Sequence, residues 1–355
     1  MDIQSVDHIE LYVEDAPKGA ADLCDSFGFA VAGTCGPRTG LSGGESMLLR
    51  QGEIALVVTA PTSSADRVAE FVRRHGDGVA AIGFSVDEAQ SAFAESVGRG
   101  AVPVMAPQTL GPPGGRVTVA SVVGFGDVEH RFISREATGG PLWPGLIEEP
   151  GPAASDVGLL RAVDHCAVCV PPGELPATVR AYQDVFGFRG IFEEHIVVGS
   201  QAMNSKVVQS PSGKVTFTII EPDTTRSPGQ IDTYLQAHRG AGIQHIAFLA
   251  DDITAAVRDC TRRGARFLTT PSGYYTALPA RLGPVGVPVE TLRELNILAD
   301  HDHDGVMLQI FTESRHPRRT LFYEFVDRRG ARTFGSNNIK ALYEAVERRR
   351  TAEPA

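Results

Sequence analysis

The sequence predicts an α+β protein of two tandem domains, each made of two strand–helix–strand–strand–strand modules, with a C-terminal helix closing a pocket. Three observations carry this. SVDHIELYVEDAPKGAADLCDSFGFAVAG, at residues 5–33, returns as AVDHCAVCVPPGELPATVRAYQDVFGFRG at 162–190. AIGFSVDEAQSAFAESVGRGA, at 81–101, returns as HIAFLADDITAAVRDCTRRGA at 245–265. The stretch RRTLFYEFVDRRGARTFGSNNIKALYEAVERRR, at 318–350, passes from an alternating strand through Gly330 into an amphipathic helix.

In each first repeat, V-D-H heads a strand, a polar turn leads to a helix, and F-G-F starts the next strand. His8 matches His165, and Phe27-Gly28-Phe29 matches Phe186-Gly187-Phe188. The second repeats open helices at Asp87 and at Asp251/Asp252, where a helix N-terminus favours negative charge. Between the halves, GGPLWPGLIEEPGPAASDVG at 139–158 is rich in Gly and Pro and holds the only tryptophan, Trp143. The expected division is a domain over 1–140, a linker over 141–158 that packs on a domain, and a domain over 159–355. In the second half, strands are expected at 190–198, 203–210, 214–222, 243–250, 305–312 and 320–327.

Bulk properties narrow the class. The chain has 355 residues, 42% of them apolar and 21% charged, as in soluble globular proteins. A formal charge of −10 argues against nucleic acid or an acidic membrane as a general partner. The longest apolar runs are too short for a membrane span, and the acidic start lacks a signal-peptide pattern. Five cysteines fit a reduced, cytoplasmic setting. Cys166 and Cys169 form a C-x-x-C on a strand, where residues three apart face opposite sides and cannot share a metal. His301 and His303 stand in ADHDHDG, which reads as an exposed turn.

Three ionisable residues sit inside apolar strands of the second half. His165 shares a face with Ala167 and Cys169, His245 with Ala247 and Leu249, and Glu324 with Phe322 and Val326. Burying an unpaired carboxylate costs several kcal/mol, so a strand Glu among aromatics is exposed, paired or bound to metal. His165 and His245 open equivalent strands of the repeat, and Glu324 lies in its last strand. Two imidazoles and one carboxylate make the facial triad of non-haem Fe(II), which leaves three positions open on one side. In the first half His8 persists, but Ala81 and Arg131 align with His245 and Glu324, so that half is expected to be non-catalytic and His8 structural.

The motifs VDHCAVCV, GQIDTYL, GAGIQHIAF, LQIFT, FYEF and FGSNNIKALYEAVE occur in order over nearly the whole chain. On these the sequence resembles the 4-hydroxyphenylpyruvate dioxygenase family of the vicinal-oxygen-chelate superfamily. The resemblance implies Fe(II) held by His165, His245 and Glu324. It implies O2 as co-substrate, 4-hydroxyphenylpyruvate as substrate, and no separate 2-oxo acid. Two sister activities occur in the family: attack on the ring gives homogentisate, and attack on the benzylic carbon gives 4-hydroxymandelate. The ring-attacking enzymes typically carry Phe in a G-N-F-K segment and read P-I-N-E-P in an earlier strand. This chain has Asn338-Ile339-Lys340 and Thr218-Ile219-Ile220-Glu221-Pro222. Both departures match the mandelate-forming branch, and Ile339 is the expected reaction-directing residue. Further pocket residues implied by the resemblance are Ser205, Thr218, Gln230, Gln309, Phe311, Phe334 and Phe192. A place in antibiotic biosynthesis, supplying aryl-glycine precursors, is expected on the same ground, and apolar residues of the first half point to a homodimer. A ring-cleaving extradiol dioxygenase and a metal-free binding protein of the same fold are the more distant alternatives.

Overall fold

The computed structural model describes residues 1–36, 44–137, 142, 146–148, 158–333, 335, 338, 340 and 341. Its order of elements follows the predicted repeat. In the second half the strand Leu160–Cys169 is followed by the helix Leu175–Asp184 and three antiparallel strands, Arg189–Val198, Gln201–Gln209 and Thr216–Pro222. The strand Gly242–Ala250 then leads to the helix Ile253–Arg262 and to the strands Leu298–His301, Val306–Phe311 and Phe322–Arg329. The two modules join edge to edge, because Leu160–Cys169 and Gly242–Ala250 pair antiparallel. The result is an eight-stranded sheet with these two strands at its centre. The first half repeats the plan, and the short strand Ile147–Glu148 adds a ninth member by pairing with Ala30–Cys35.

Alternation along the strands gives each sheet two buried faces. Cys166, Phe217, Ile246, Phe248 and Phe325 belong to the large core shared by both halves, while Ala167, Cys169, Ile220 and Phe311 form a separate cluster on the inner face. Cys166 and Cys169 thus fall on opposite sides of the sheet, as a period of two requires.

The F-G-F repeats explain how the halves join. Each glycine has a positive φ, +78° at Gly28 and +73° at Gly187, which turns the chain sharply out of the preceding helix. The flanking rings then cross to the other half. Phe27 meets Tyr323 edge-on at 5.2 Å and Phe29 meets Phe248 at 5.9 Å, while Phe186 meets His130 at 5.4 Å and Phe188 meets Phe84 at 6.5 Å. Each buried phenylalanine contributes about 1.5–3 kcal/mol, so this exchange is a major part of the join.

Two histidines at the join are buried and uncharged. Burial pushes His130 down to about 3, and His130 Nε2 lies 2.7 Å from the Tyr182 hydroxyl of the other half. Burial and then the adjacent His75 push His238 down to about 4; the two rings stack at 4.4 Å. An unfolded histidine takes up a proton near pH 6.5, but these two do not until pH is far lower. Stability should therefore fall as pH drops below about 6.5, by about 1.4 kcal/mol per pH unit for each group. Urea midpoints between pH 7.5 and 5 measure the slope, and His238→Asn should reduce it.

Two details differ from the sequence reading. The helix Ala89–Gly98 is capped by Glu88, whose side chain accepts from Ser91 N, whereas Asp87 accepts from Gln4. Two further helices, Ser272–Leu282 and Val289–Glu294, enter the last module before Leu298. No described helix is long and apolar enough to cross a membrane.

Candidate metal centre

The site arises from the register of the three central strands. His165 pairs with Ala247, and Ala247 pairs with Glu324. His245 stands two residues before Ala247 on the same face. Neighbouring strands lie about 4.8 Å apart, so the side chains of His165 and Glu324 lean toward each other over one alanine methyl. His245 joins them from the middle strand.

All three residues are buried, at 3%, 7% and 1% exposure for His165, His245 and Glu324. Their ligand atoms all lie within 4.8 Å of one another. Glu324 Oε2 is 3.4 Å from His165 Nε2 and 3.3 Å from His245 Nε2. These distances exceed a good hydrogen bond. They suit donors that share one metal, since two ligands at about 2.1 Å and a right angle lie about 3 Å apart.

The far side of each imidazole is committed. His165 Nδ1 donates to Asp164 Oδ1 at 2.7 Å, and His245 Nδ1 lies more loosely, 3.4 Å from Gln244 Oε1. Each ring therefore turns its Nε2 inward, toward the point that a metal would occupy. The His245 ring also stacks on Phe322 at 4.9 Å and meets Phe311 edge-on at 6.2 Å. Burial alone would raise Glu324, but the imidazoles of His165 and His245 hold it down at about 2. Burial alone would lower His165, but Glu324 and Asp164 raise it to about 9. The pocket thus favours a positive charge at this point, and the donor set, two neutral nitrogens and one carboxylate, fits a divalent first-row metal.

The first half shows the same scaffold with a different content. His8 pairs with Gly83 and Gly83 with Arg131, while Ala81 pairs with Glu10. Ala81 therefore takes the place of His245, and Arg131 that of Glu324, as the repeat alignment predicts. The Arg131 guanidinium pairs with Glu10 at 2.5 Å and with Glu129 at 3.2 Å. A built-in cation fills the position where the second half gathers ligands for one.

The other predicted pocket residues are only partly brought together. Gln309 Nε2 donates to Glu324 Oε1 at 2.7 Å, and Phe311 pairs in register with Glu324. Ser205 pairs with Ile220, and Thr218 pairs with Ala167, so all face inward on the same side of the sheet as His165, His245 and Glu324. Thr218 Oγ1 is buried without a hydrogen-bond partner among the described residues. Phe192 borders a groove of about 830 Å³ between the halves, together with Asp164 and Arg328. Gln230 opens a helix and lines a small pocket with Ile196 and Met203. Phe334 and Ile339 lie outside the described residues, as does Trp143.

Sequence reasoning passed over Asp164, Gln244 and Glu194. The first was visible, because both repeats place Asp before His. Glu194 pairs with Ser205 and shares the inward face with Ile196, and its Oε2 is buried without a partner among the described residues.

Comparison with known proteins settles the family. The chain is 32% identical to 4-hydroxyphenylpyruvate dioxygenase of Aspergillus fumigatus over 96% of its length and 91% of that protein. It is 31% identical to the same enzyme of Dictyostelium discoideum, covering 98% of each chain. This chain belongs to the 4-hydroxyphenylpyruvate dioxygenase family. It is accordingly an enzyme of the non-haem iron dioxygenase class. Family models agree: "Hydroxyphenylpyruvate dioxygenase, HPPD, N-terminal" matches residues 4–142, and "Glyoxalase/Bleomycin resistance protein/Dioxygenase superfamily" matches residues 164–278. Among solved structures, a triple mutant of 4-hydroxymandelate synthase from Streptomyces coelicolor superposes with a TM-score of 0.90. That protein is 43% identical and is covered over its whole length by 99% of this chain. In this 4-hydroxyphenylpyruvate dioxygenase family member the two halves are glyoxalase-like domains, and the His165, His245 and Glu324 constellation lies in the second.

Proposed function

We propose that this enzyme holds Fe(II) on His165, His245 and Glu324 and uses O2 to convert 4-hydroxyphenylpyruvate into 4-hydroxymandelate and CO2. The observation that carries the reading is the convergence of two inward-facing Nε2 atoms and one carboxylate oxygen over Ala247. The benzylic outcome draws support from the higher identity to a 4-hydroxymandelate synthase, and from Thr218, Ile220 and Ile339 in the pocket segments.

Atoms balance: one oxygen of O2 enters the new carboxylate as CO2 leaves, and the other becomes the benzylic hydroxyl. Bound iron would chelate the keto acid and activate O2. The protein's own part is placement. Asp164 and Gln244 hold the imidazoles with Nε2 inward, and Gln309 fixes the carboxylate plane of Glu324. Ala247 leaves room above the sheet. Ile220, Phe311 and Phe322 present apolar surface that excludes water.

Ser205, Thr218 and Glu194 face the same cavity and supply the polar contacts for a phenol. A phenolic hydroxyl donating to Glu194 would satisfy an oxygen that is buried without a partner among the described residues. Glu194→Ala is expected to raise KM for 4-hydroxyphenylpyruvate by about 5- to 100-fold, the worth of one such contact at 1–3 kcal/mol. KM for phenylpyruvate should hardly change. Equal effects on both substrates would remove Glu194 from phenol recognition.

The test of the function is product analysis after incubation with Fe(II), ascorbate, O2 and 4-hydroxyphenylpyruvate. 4-Hydroxymandelate is expected, with one CO2 released per product. Homogentisate as the main product would place the chain with the ring-attacking sister.

A further inference from the structure

The terminal segment is bonded to two of the three ligands, through a different intermediary for each. Asn338 Nδ2 donates to Gln309 Oε1 at 2.8 Å, and Gln309 Nε2 donates to Glu324 Oε1 at 2.7 Å. On the other side, Arg328 Nη1 donates to Thr333 O at 2.8 Å. The same guanidinium grips Asp164, with Nε to Oδ2 at 2.6 Å and Nη2 to Oδ1 at 2.8 Å, and Asp164 holds His165. We propose that the residues after the last strand position the metal cage, and that Asn338 and Arg328 are the residues through which they act. The inference rests on the reading of His165, His245 and Glu324 as metal ligands.

The first relay sets the direction of an amide. A glutamine can offer a carboxylate either its NH2 or its oxygen, and the second choice would repel Glu324. Asn338 removes that freedom by donating to Gln309 Oε1. It is itself fully buried and fixed, because the Tyr274 hydroxyl donates to Asn338 Oδ1 at 2.8 Å. The second relay uses both edges of one guanidinium, a planar fork that lysine cannot reproduce. Its backbone partner is held from the far side as well, since Asp302 Oδ2 accepts from Arg332 N and Thr333 N, both at 2.7 Å. Beyond these bonds, Ala341 packs into the inner cluster with Ile220 and Phe311. Loss of the Asn338 and Thr333 bonds together would therefore release Gln309 and Arg328 and loosen two ligands.

The first half supplies a matched control. Arg135 pairs with Asp7 and donates to Leu142 O at 3.2 Å, and Asp7 Oδ1 lies 2.8 Å from His8 Nδ1. That is the same clamp on a strand pair with no ligand set. If the clamp served stability alone, breaking it in either half would have the same consequences.

The test titrates the full-length apoprotein with Co(II) without oxygen, and follows hydrogen exchange at 331–341. Asn338→Ala and Arg328→Lys are expected to weaken Co(II) binding by about 10-fold or more, the usual effect of losing a group that orients a ligand. Arg135→Lys should stay within about 2-fold of the parent. Co(II) should slow exchange at 331–341 in the parent more than in Asn338→Ala. Unchanged Co(II) affinity in both variants, with faster exchange at 331–341, would limit these bonds to holding the segment itself and overturn the inference. An equal loss in Arg135→Lys at an equal loss of apoprotein stability would also overturn it. A parent protein that binds no Co(II) would instead refute the metal reading, and this inference with it.

Discussion

Glu324→Gln is expected to lower kcat by more than about 10³-fold, because the enzyme loses its metal and with it the chemistry the metal performs. The substitution changes little volume and keeps a group beside Gln309, so the effect comes from charge. Glu324 is the sole carboxylate among the three proposed ligands. Without it, two neutral imidazoles face a divalent cation in a buried pocket, and nothing offsets the cost of desolvating that charge. Metal content by elemental analysis and turnover by CO2 release should fall together. Full metal occupancy with lost turnover would assign Glu324 a role in the reaction other than ligation.

Ile339→Phe is expected to redirect the product from 4-hydroxymandelate toward homogentisate. Helical spacing in the sequence groups Ile339 with Leu342, Tyr343 and Val346, and the proposed function puts that group at the pocket. A flat ring there would press the substrate ring into a different orientation. Displacement of a reacting atom by about 1 Å changes rates by about 10²-fold, so a modest rotation is enough to invert a ratio between two carbons of one substrate. Ile220 lies on the inner face, between Ser205 and Cys169 in register. Ile220→Asn combined with Ile339→Phe should therefore go further than either alone. Chromatographic product ratios measure this, and an unchanged ratio in the double variant would exclude both residues as the switch.

The internal repeat made most of the fold readable. Periodicity gave the strands, and the match of V-D-H to V-D-H fixed which strands correspond, so His165, His245 and Glu324 could be placed on adjacent strands before any coordinates. The degenerate first half, with Ala81 and Arg131, sharpened that assignment. What stayed hidden has physical causes. The helix Ser272–Leu282 carries Pro279 in its interior and starts after Pro271, and prolines read as breakers because they lack an N–H. Glu88 rather than Asp87 caps its helix, and two adjacent acids cannot be told apart by charge alone. Arg328 acts by reaching from one strand to Asp164 and to a backbone carbonyl beyond its own strand, a connection that no periodicity encodes. Glu194 looked like one of several charges on an edge strand; only its pairing with Ser205 puts it inside.

Anaerobic titration of the apoprotein with Fe(II) tests the central claim most directly. The account predicts one tightly bound iron per chain, abolished by Glu324→Ala and untouched by Arg131→Met, with 4-hydroxyphenylpyruvate adding a visible charge-transfer band only when the iron is present. Two irons per chain, or one that survives Glu324→Ala, would contradict it.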